Sequence, residues 1–252
     1  MFFVRIPKCA STSFIEVLRK LSNANDNFEL FFHPSGAFNW DRDTKLKVAN
    51  LARFKARPGR RFVYARHFYH VDFRQFGLEN YTYLTLMRDP VTRLVSSYLY
   101  YHFSSKPHIQ RILNPRYRNE SFEECLKGEH DGCKRNLMTK YFCGHMKFCG
   151  QGDKRALERA KENLRAQFAA VGIMEQTDVT LKVFKAVLPE YFHGLDLSRE
   201  VLPLLNPNEH RMSLNRTLVH TIEDTNFADV ELYKYARSLL FQRARDCGVL
   251  HS

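Results

Sequence analysis

Several features that would place a chain at a glance are scarce or missing from these 252 residues. There is one tryptophan, and only eleven glycines. No apolar run approaches the ~20 residues that a helical membrane span needs. No signal peptide opens at Met1, and the chain is therefore expected to be a piece of a longer protein or an incomplete gene model, with any anchor lying outside it. Internal repeats and low-complexity segments are absent, which argues against solenoids and disordered tails. The G-x-x-x-x-G-K-[ST] loop of nucleotide triphosphatases is missing, as is an acidic pair suited to magnesium and any recognisable nucleic-acid reader motif. Acidic residues are also in deficit: 27 Asp and Glu stand against 39 Lys and Arg, a formal charge of +12.

That basic excess calls for an anionic partner, whether nucleic acid, anionic lipid or acidic polysaccharide. The missing reader motif demotes nucleic acid. With 44% hydrophobic and 13% aromatic residues, the chain is globular and long enough for one domain with a full core. It reads as a single domain over 1–252 with a cysteine-bearing excursion at about 104–152.

Four of the six cysteines fall in that excursion as two close pairs, Cys125 with Cys133 and Cys143 with Cys149. A zinc site with His145 is the alternative, but the gaps exceed the usual two to four intervening residues. Two local disulfides are the better reading, and they imply an oxidising lumen. Cys9 and Cys247 are left as free thiols. Asn80, Asn119 and Asn215 each begin an Asn-x-Ser/Thr triplet, compatible with a secretory route.

Phe2 to Ile6 forms a short apolar run that reads as a buried strand. Pro7-Lys8-Cys9-Ala10-Ser11-Thr12-Ser13 follows, and Phe14, Val17, Leu18 and Leu21 then fall at helical spacing. A strand, a tight turn and a helix make an anion cradle, because first-turn amides and the positive end of the helix dipole face the turn. The same residues also fit an ordinary capped helix after an edge strand. Asn23 to Asn39 is polar and turn-rich, and a helix is expected over Asp41 to Phe54. Arg61 to Ala65 reads as a second strand delivering Arg66-His67, and Tyr81 to Met87 as a third. Asp89 and Pro90 then start a helix through Phe103.

The excursion reads as irregular. A helix over Ala156 to Phe168, a fourth strand over Ala169 to Met174 and a helix over Thr177 to Val187 follow. His193 to Thr225 reads as loop, and Asp229 to Asp246 as a last helix. Alternating strands and helices predict an α/β domain with a parallel sheet. Ligands sit beyond the carboxyl ends of such strands, which would put Lys8, His67 and Arg88 on one rim. Alternation turns His70 away from that rim. Arg88-Asp89-Pro90-Val91-Thr92-Arg93-Leu94-Val95-Ser96 can aim a guanidinium and a hydroxyl at one phosphate, although taken alone it is equally a helix cap.

Together these segments resemble the sulfotransferases that use 3′-phosphoadenosine 5′-phosphosulfate (PAPS). Pro7 to Ser13 is similar to their 5′-phosphosulfate loop, P-K-x-small-S-x-[ST], and Arg88 to Ser96 to their 3′-phosphate motif, R-D-P-x-x-R-x-x-S. The ordered set of loop, Ala65-Arg66-His67, R-D-P helix, cysteine excursion and Tyr141-Phe142-Cys143-Gly144 resembles the uronyl 2-O-sulfotransferases. Val171-Gly172-Ile173-x-Glu175 and the stretch from Glu209-His210-Arg211 to Asn215-Arg216-Thr217 are similar too. Those are Golgi enzymes, acting on uronic acid in dermatan, chondroitin or heparan sulfate. The single His67 and Cys9 look closer to the dermatan/chondroitin branch, whereas the Ser-Thr-Ser ending of the loop looks more heparan-like.

The resemblance implies a P-loop-like parallel sheet flanked by helices. It implies that Lys8, Cys9, Ala10, Ser11, Thr12 and Ser13 hold the 5′-phosphosulfate, that Arg88 and Ser96 hold the 3′-phosphate, and that Arg216 lies near the cofactor. His67 would be the base and Lys8 its electrostatic partner, in a direct in-line transfer that requires no metal and leaves PAP (adenosine 3′,5′-bisphosphate). Arg5, Arg66, Arg116 and Arg118 would meet carboxylates and sulfates of the polysaccharide. The expected setting is the Golgi lumen, as a type II membrane protein able to form a homo-oligomer. The rivals are a non-enzymatic or inactive polysaccharide-binding relative and a small-molecule P-loop kinase.

Overall fold

The computed structural model describes residues 1–25, 28–33, 38–197 and 212–250. Five parallel strands form one sheet: β1 (Phe2–Val4), β2 (Phe28–Phe32), β3 (Arg61–Arg66), β4 (Tyr83–Met87) and β5 (Phe168–Ile173), in the order β2-β3-β1-β4-β5. Helices α1 (Ser11–Asn25), α2 (Arg42–Lys55), α3 (Pro90–Phe103), α7 (Lys154–Gln167) and α8 (Thr177–Val187) lie between or after the strands. The short helices α4 (Pro107–Ile112), α5 (Phe122–Gly128) and α6 (Leu137–Cys143) occupy the excursion. A short α9 (Pro189–Phe192), then α10 (Arg216–Thr225) and α11 (Phe227–Asp246), complete the described chain.

Four strands are expected from sequence and five are present among the described residues. The addition is β2, an edge strand paired only with β3 among the described residues. Two loop assignments are also corrected. The excursion is largely helical, and α10 replaces the end of the presumed His193–Thr225 loop, capped by Asn215 Oδ1 accepting from the Leu218 amide at 2.8 Å. Residues 198–211, including Glu209, His210 and Arg211, lie outside the described residues.

β1 is the centre of the sheet and is buried throughout. Phe2 stacks on Phe73 and touches Tyr64, Phe68, Tyr81 and Tyr83, so an aromatic cluster packs against the sheet's middle strands. Gly172 lets α8 close on β5, since a Cβ there would fall 2.4 Å from Thr180 Cγ2 and 2.5 Å from Leu86 Cδ2. A second, smaller core joins Leu94, Tyr98 and Leu99 of α3 to Phe122, Cys125 and Leu126 of α5 and Ile222 of α10. Both expected disulfides are present, Cys125–Cys133 and Cys143–Cys149, and the first lies in that smaller core. No helix among the described residues is long and apolar enough to cross a membrane.

Candidate active site

Strand order decides which loops meet. β1 lies between β3 and β4, so the segments leaving these three strands are neighbours at the carboxyl edge, one strand spacing of about 4.8 Å apart. Lys8 leaves the middle strand, with His67 on one side and Arg88 on the other.

The Lys8 turn contains no glycine yet adopts left-handed backbone at two positions, φ +67° at Lys8 and +54° at Ala10. Such conformations cost about 1–3 kcal/mol each at non-glycine residues and concentrate at functional sites. They bend the chain sharply so that α1 begins at Ser11. The amides of Ser11, Thr12 and Ser13 occupy the helix's first turn, where no intrahelical carbonyl is available. Thr12 is exposed, whereas Ser11 and Ser13 are buried. Cys9 shapes the turn from inside. Its amide reaches Ile6 O at 3.4 Å, and burial pushes its thiol up to about 12, so it is a neutral packing group.

Arg88 ties the first loop to α3. Nη1 donates to Lys8 O at 3.3 Å, and Nε donates to Thr92 Oγ1 at 3.2 Å. Asp89 caps α3 rather than pairing with Arg88, accepting the Thr92 amide at 2.9 Å. Glu175, just after β5, receives the Asp89 amide on Oε1 at 3.0 Å and the Tyr233 hydroxyl on Oε2 at 2.9 Å. It therefore fixes where the Arg88 turn sits. The sequence shows only that Glu175 belongs to a motif. Ser96 is buried on α3.

The Lys8 ammonium lies 4.0 Å from the centroid of the Tyr100 ring. Burial, then the positive charges of Arg88 and Lys106, bring Lys8 down to about 8. It is still mainly charged at neutral pH, but held in a state that an arriving anion would relieve.

His67 is partly buried beyond β3, and its Nδ1 is 2.8 Å from Arg5 O. A carbonyl can only accept, so Nδ1 carries the proton and Nε2 keeps its lone pair. Burial, reinforced by the charge on Arg5, lowers the ring to about 3, so it is neutral at physiological pH. Phe38 meets it edge-on at 5.9 Å. Arg5 is buried, its guanidinium 4.7 Å from the Phe32 ring, and Arg66 lies over Trp40 at 5.8 Å. The Nε atoms of both arginines are buried with no hydrogen-bond partner among the described residues.

The Tyr141–Gly144 segment reaches this site from α6. The Tyr141 carbonyl accepts the His70 amide at 2.7 Å, and Tyr141 meets Tyr69 edge-on at 5.2 Å. Gly144 has φ +100°, and a Cβ there would lie 2.8 Å from His70 O. His70 itself is buried and turned into the core, as the alternation predicts. The zinc alternative with His145 loses its thiolates to the Cys143–Cys149 disulfide, and His145 Nδ1 is instead 2.9 Å from Asn39 Oδ1.

The remaining candidates are carried by other elements. Arg116 and Arg118 are exposed around a single 3₁₀ turn in the excursion. Arg216 is the exposed first residue of α10, a helix that packs on α3.

Residues 1–236 match the model of the sulfotransferase family. The chain belongs to that family. Membership implies a sulfuryl donor. Among curated proteins it is 30% identical over 223 residues to a mouse uronyl 2-sulfotransferase, covering 85% of this chain and 53% of that one. It is 30% identical over 204 residues to a chicken heparan sulfate 2-O-sulfotransferase 1, covering 77% of this chain and 56% of the relative. A fruit-fly homologue of uronyl 2-sulfotransferase, pip, is 26% identical over 272 residues, covering 92% of this chain and 52% of the homologue. The sulfotransferase chain thus spans about half the length of these relatives.

Proposed function

We propose that the chain is the catalytic domain of a glycosaminoglycan uronyl 2-O-sulfotransferase that uses PAPS. The observation carrying this reading is His67. It is a neutral imidazole whose Nδ1–H is engaged by Arg5 O, leaving Nε2 unprotonated, its lone pair free to accept, on the same rim as Lys8 and Arg88. The rim fits a nucleotide bearing two anionic ends. Lys8 and the first-turn amides of Ser11 to Ser13 would hold the 5′-phosphosulfate, and Arg88 with Ser96 the 3′-phosphate. When bound, PAPS supplies an activated sulfuryl group.

The chain's residues contribute position and charge. Nε2 of His67 takes the proton from the uronic 2-hydroxyl. Lys8 stabilises negative charge developing between sulfuryl group and nucleotide. Buried Arg5 and half-buried Arg66, held on aromatic faces, present cationic groups to a polyanionic sugar. The names of the similar proteins support uronic acid as acceptor, in dermatan, chondroitin or heparan sulfate. The two expected disulfides agree with a Golgi-lumenal setting.

The test is transfer from labelled PAPS to desulfated heparan, dermatan and chondroitin, followed by disaccharide analysis. Label on the uronic 2-position is the expected result. PAP binding without transfer to any chain would instead indicate an inactive or differently specific relative.

A further inference from the structure

Thr92, Ser96 and Tyr100 succeed one another at four-residue steps along α3, and residues so spaced share a helix flank. Thr92 accepts from Arg88, and Tyr100 receives Lys8 on its ring face. The same ring has a second cation near it. Lys106, which precedes α4, places its Nζ 5.6 Å from the Tyr100 centroid. Neither Tyr100 nor Lys106 belongs to a recognised motif of this chain, and nothing above assigns either a role.

We propose that Tyr100 is a positioning residue for Lys8 and that Lys106 is a third cationic residue of the anion site, both delivered by the C-terminal end of α3. This rests on the reading of the Lys8 loop as a phosphosulfate cradle. A flexible four-carbon side chain with a buried ammonium needs something to hold it before an anion arrives. The aromatic face does so without neutralising the charge, as a carboxylate would. Tyr100 is half-buried, and its hydroxyl is not required for the contact. Lys106 is exposed at the mouth, where it can follow an incoming anion. The groups bearing on the Lys8 charge are Arg88, Lys106 and the buried neutral thiol of Cys9, together with the Tyr100 ring.

The two residues act on Lys8 in opposite directions. Removing the ring takes away an attraction for the ammonium, so Lys8 loses its proton more easily. Removing Lys106 takes away a repulsion, so Lys8 keeps its proton to higher pH. Deprotonation of Lys8 weakens binding of an anion, and PAP affinity therefore breaks downward near the Lys8 pKa of the free protein.

PAP affinity is measured by calorimetry between pH 7 and 10 for the unaltered chain, Tyr100→Phe, Tyr100→Leu and Lys106→Ala. The break is expected to fall by about half a unit to one unit in Tyr100→Leu and to rise in Lys106→Ala. Tyr100→Phe should keep the original break. Lys106→Ala should also weaken PAP roughly three- to tenfold at low salt, less so as salt rises. If Tyr100→Leu fails to fold, the exposed Lys106→Ala and the conservative Tyr100→Phe still decide. An unmoved break in Lys106→Ala, or a Tyr100→Phe that departs from the original, overturns the proposal. Failure of the unaltered chain to bind PAP overturns the cradle reading itself.

Discussion

His67 owes its chemistry to one hydrogen bond and to where its strand ends. Arg5 O orients the ring from the neighbouring strand, and burial, reinforced by the neighbouring arginine charges, keeps it unprotonated. His67→Ala should lower sulfuryl transfer by about 10²–10⁴-fold while leaving PAP affinity within roughly twofold, because no phosphate partner is removed. Because the ring is held near 3, kcat/KM should not decline through the ordinary histidine range as pH falls from 7 to 5. A normal acid limb near 6.5 would show that His67 is solvated like any surface imidazole. Lys8 is the complementary case. Burial among cations makes its charge costly, and a bound anion would offset that cost.

At the scale of elements, the site depends on segments far apart in sequence meeting at fixed distances. The Tyr141–Gly144 turn supports the chain leaving β3 only because no side chain stands between Gly144 and His70 O. Gly144→Ala combines left-handed strain with a 2.8 Å backbone contact. It should destabilise the chain by about 1–3 kcal/mol and reduce transfer more than PAP binding, read by urea melts beside calorimetry. α6 is itself held from the other end of the chain. Asp229 of α11 accepts the amides of Met138 and Thr139 at 3.1 and 2.7 Å, replacing the cap that Asn136 does not provide. Such a cap cannot be read from local sequence, because its acceptor lies ninety residues away.

The same distinction separates what was legible from what was not. The Lys8 turn, the Asp89-Pro90 helix start and β5 each carry local signals, and they stand close to where the sequence puts them. β2 does not, because Phe28-Glu29-Leu30-Phe31-Phe32 is a half-exposed edge strand defined by pairing with β3. α10 follows a proline-bearing stretch that masks its Asn215 cap. His67, Lys8 and Arg88 were legible as strand-end residues. Tyr100 was not, since a half-buried tyrosine on a helix flank carries no local signal and takes its role only from what the fold brings above it.

For the molecule as a whole, burial of neutral histidines sets the response to acid. His67 is lowered to about 3, and His70 and His145 to about 4, in each case chiefly by burial. The unfolded chain takes up these protons near 6.5, whereas the folded chain resists until much lower pH. Stability is therefore complete above about 6.5 and is lost progressively as pH falls towards 4, since the unfolded state then binds more protons. His70 alone contributes up to about 1.4 kcal/mol per pH unit across that window. Urea midpoints between pH 7.5 and 4.5 should fall accordingly, and His70→Phe should flatten the slope.

The smaller core formed by α3, α5 and α10 is distinct from the main one, so local opening there is expected at a lower free energy than opening of the sheet. α3 belongs to both: Leu94, Tyr98 and Leu99 face the smaller core, while Ser96 and Tyr100 sit on the flank that reaches the Lys8 loop. Amide protons of α5 and α10 should exchange with solvent sooner than those of β1 and β4, because their unit opens at lower free energy. Saturating PAP, by fixing α3 from the opposite flank, should slow exchange in α5 and in the part of α10 beyond Arg216. The helix that carries the phosphate motif would then also report to a distant surface whether the nucleotide is present.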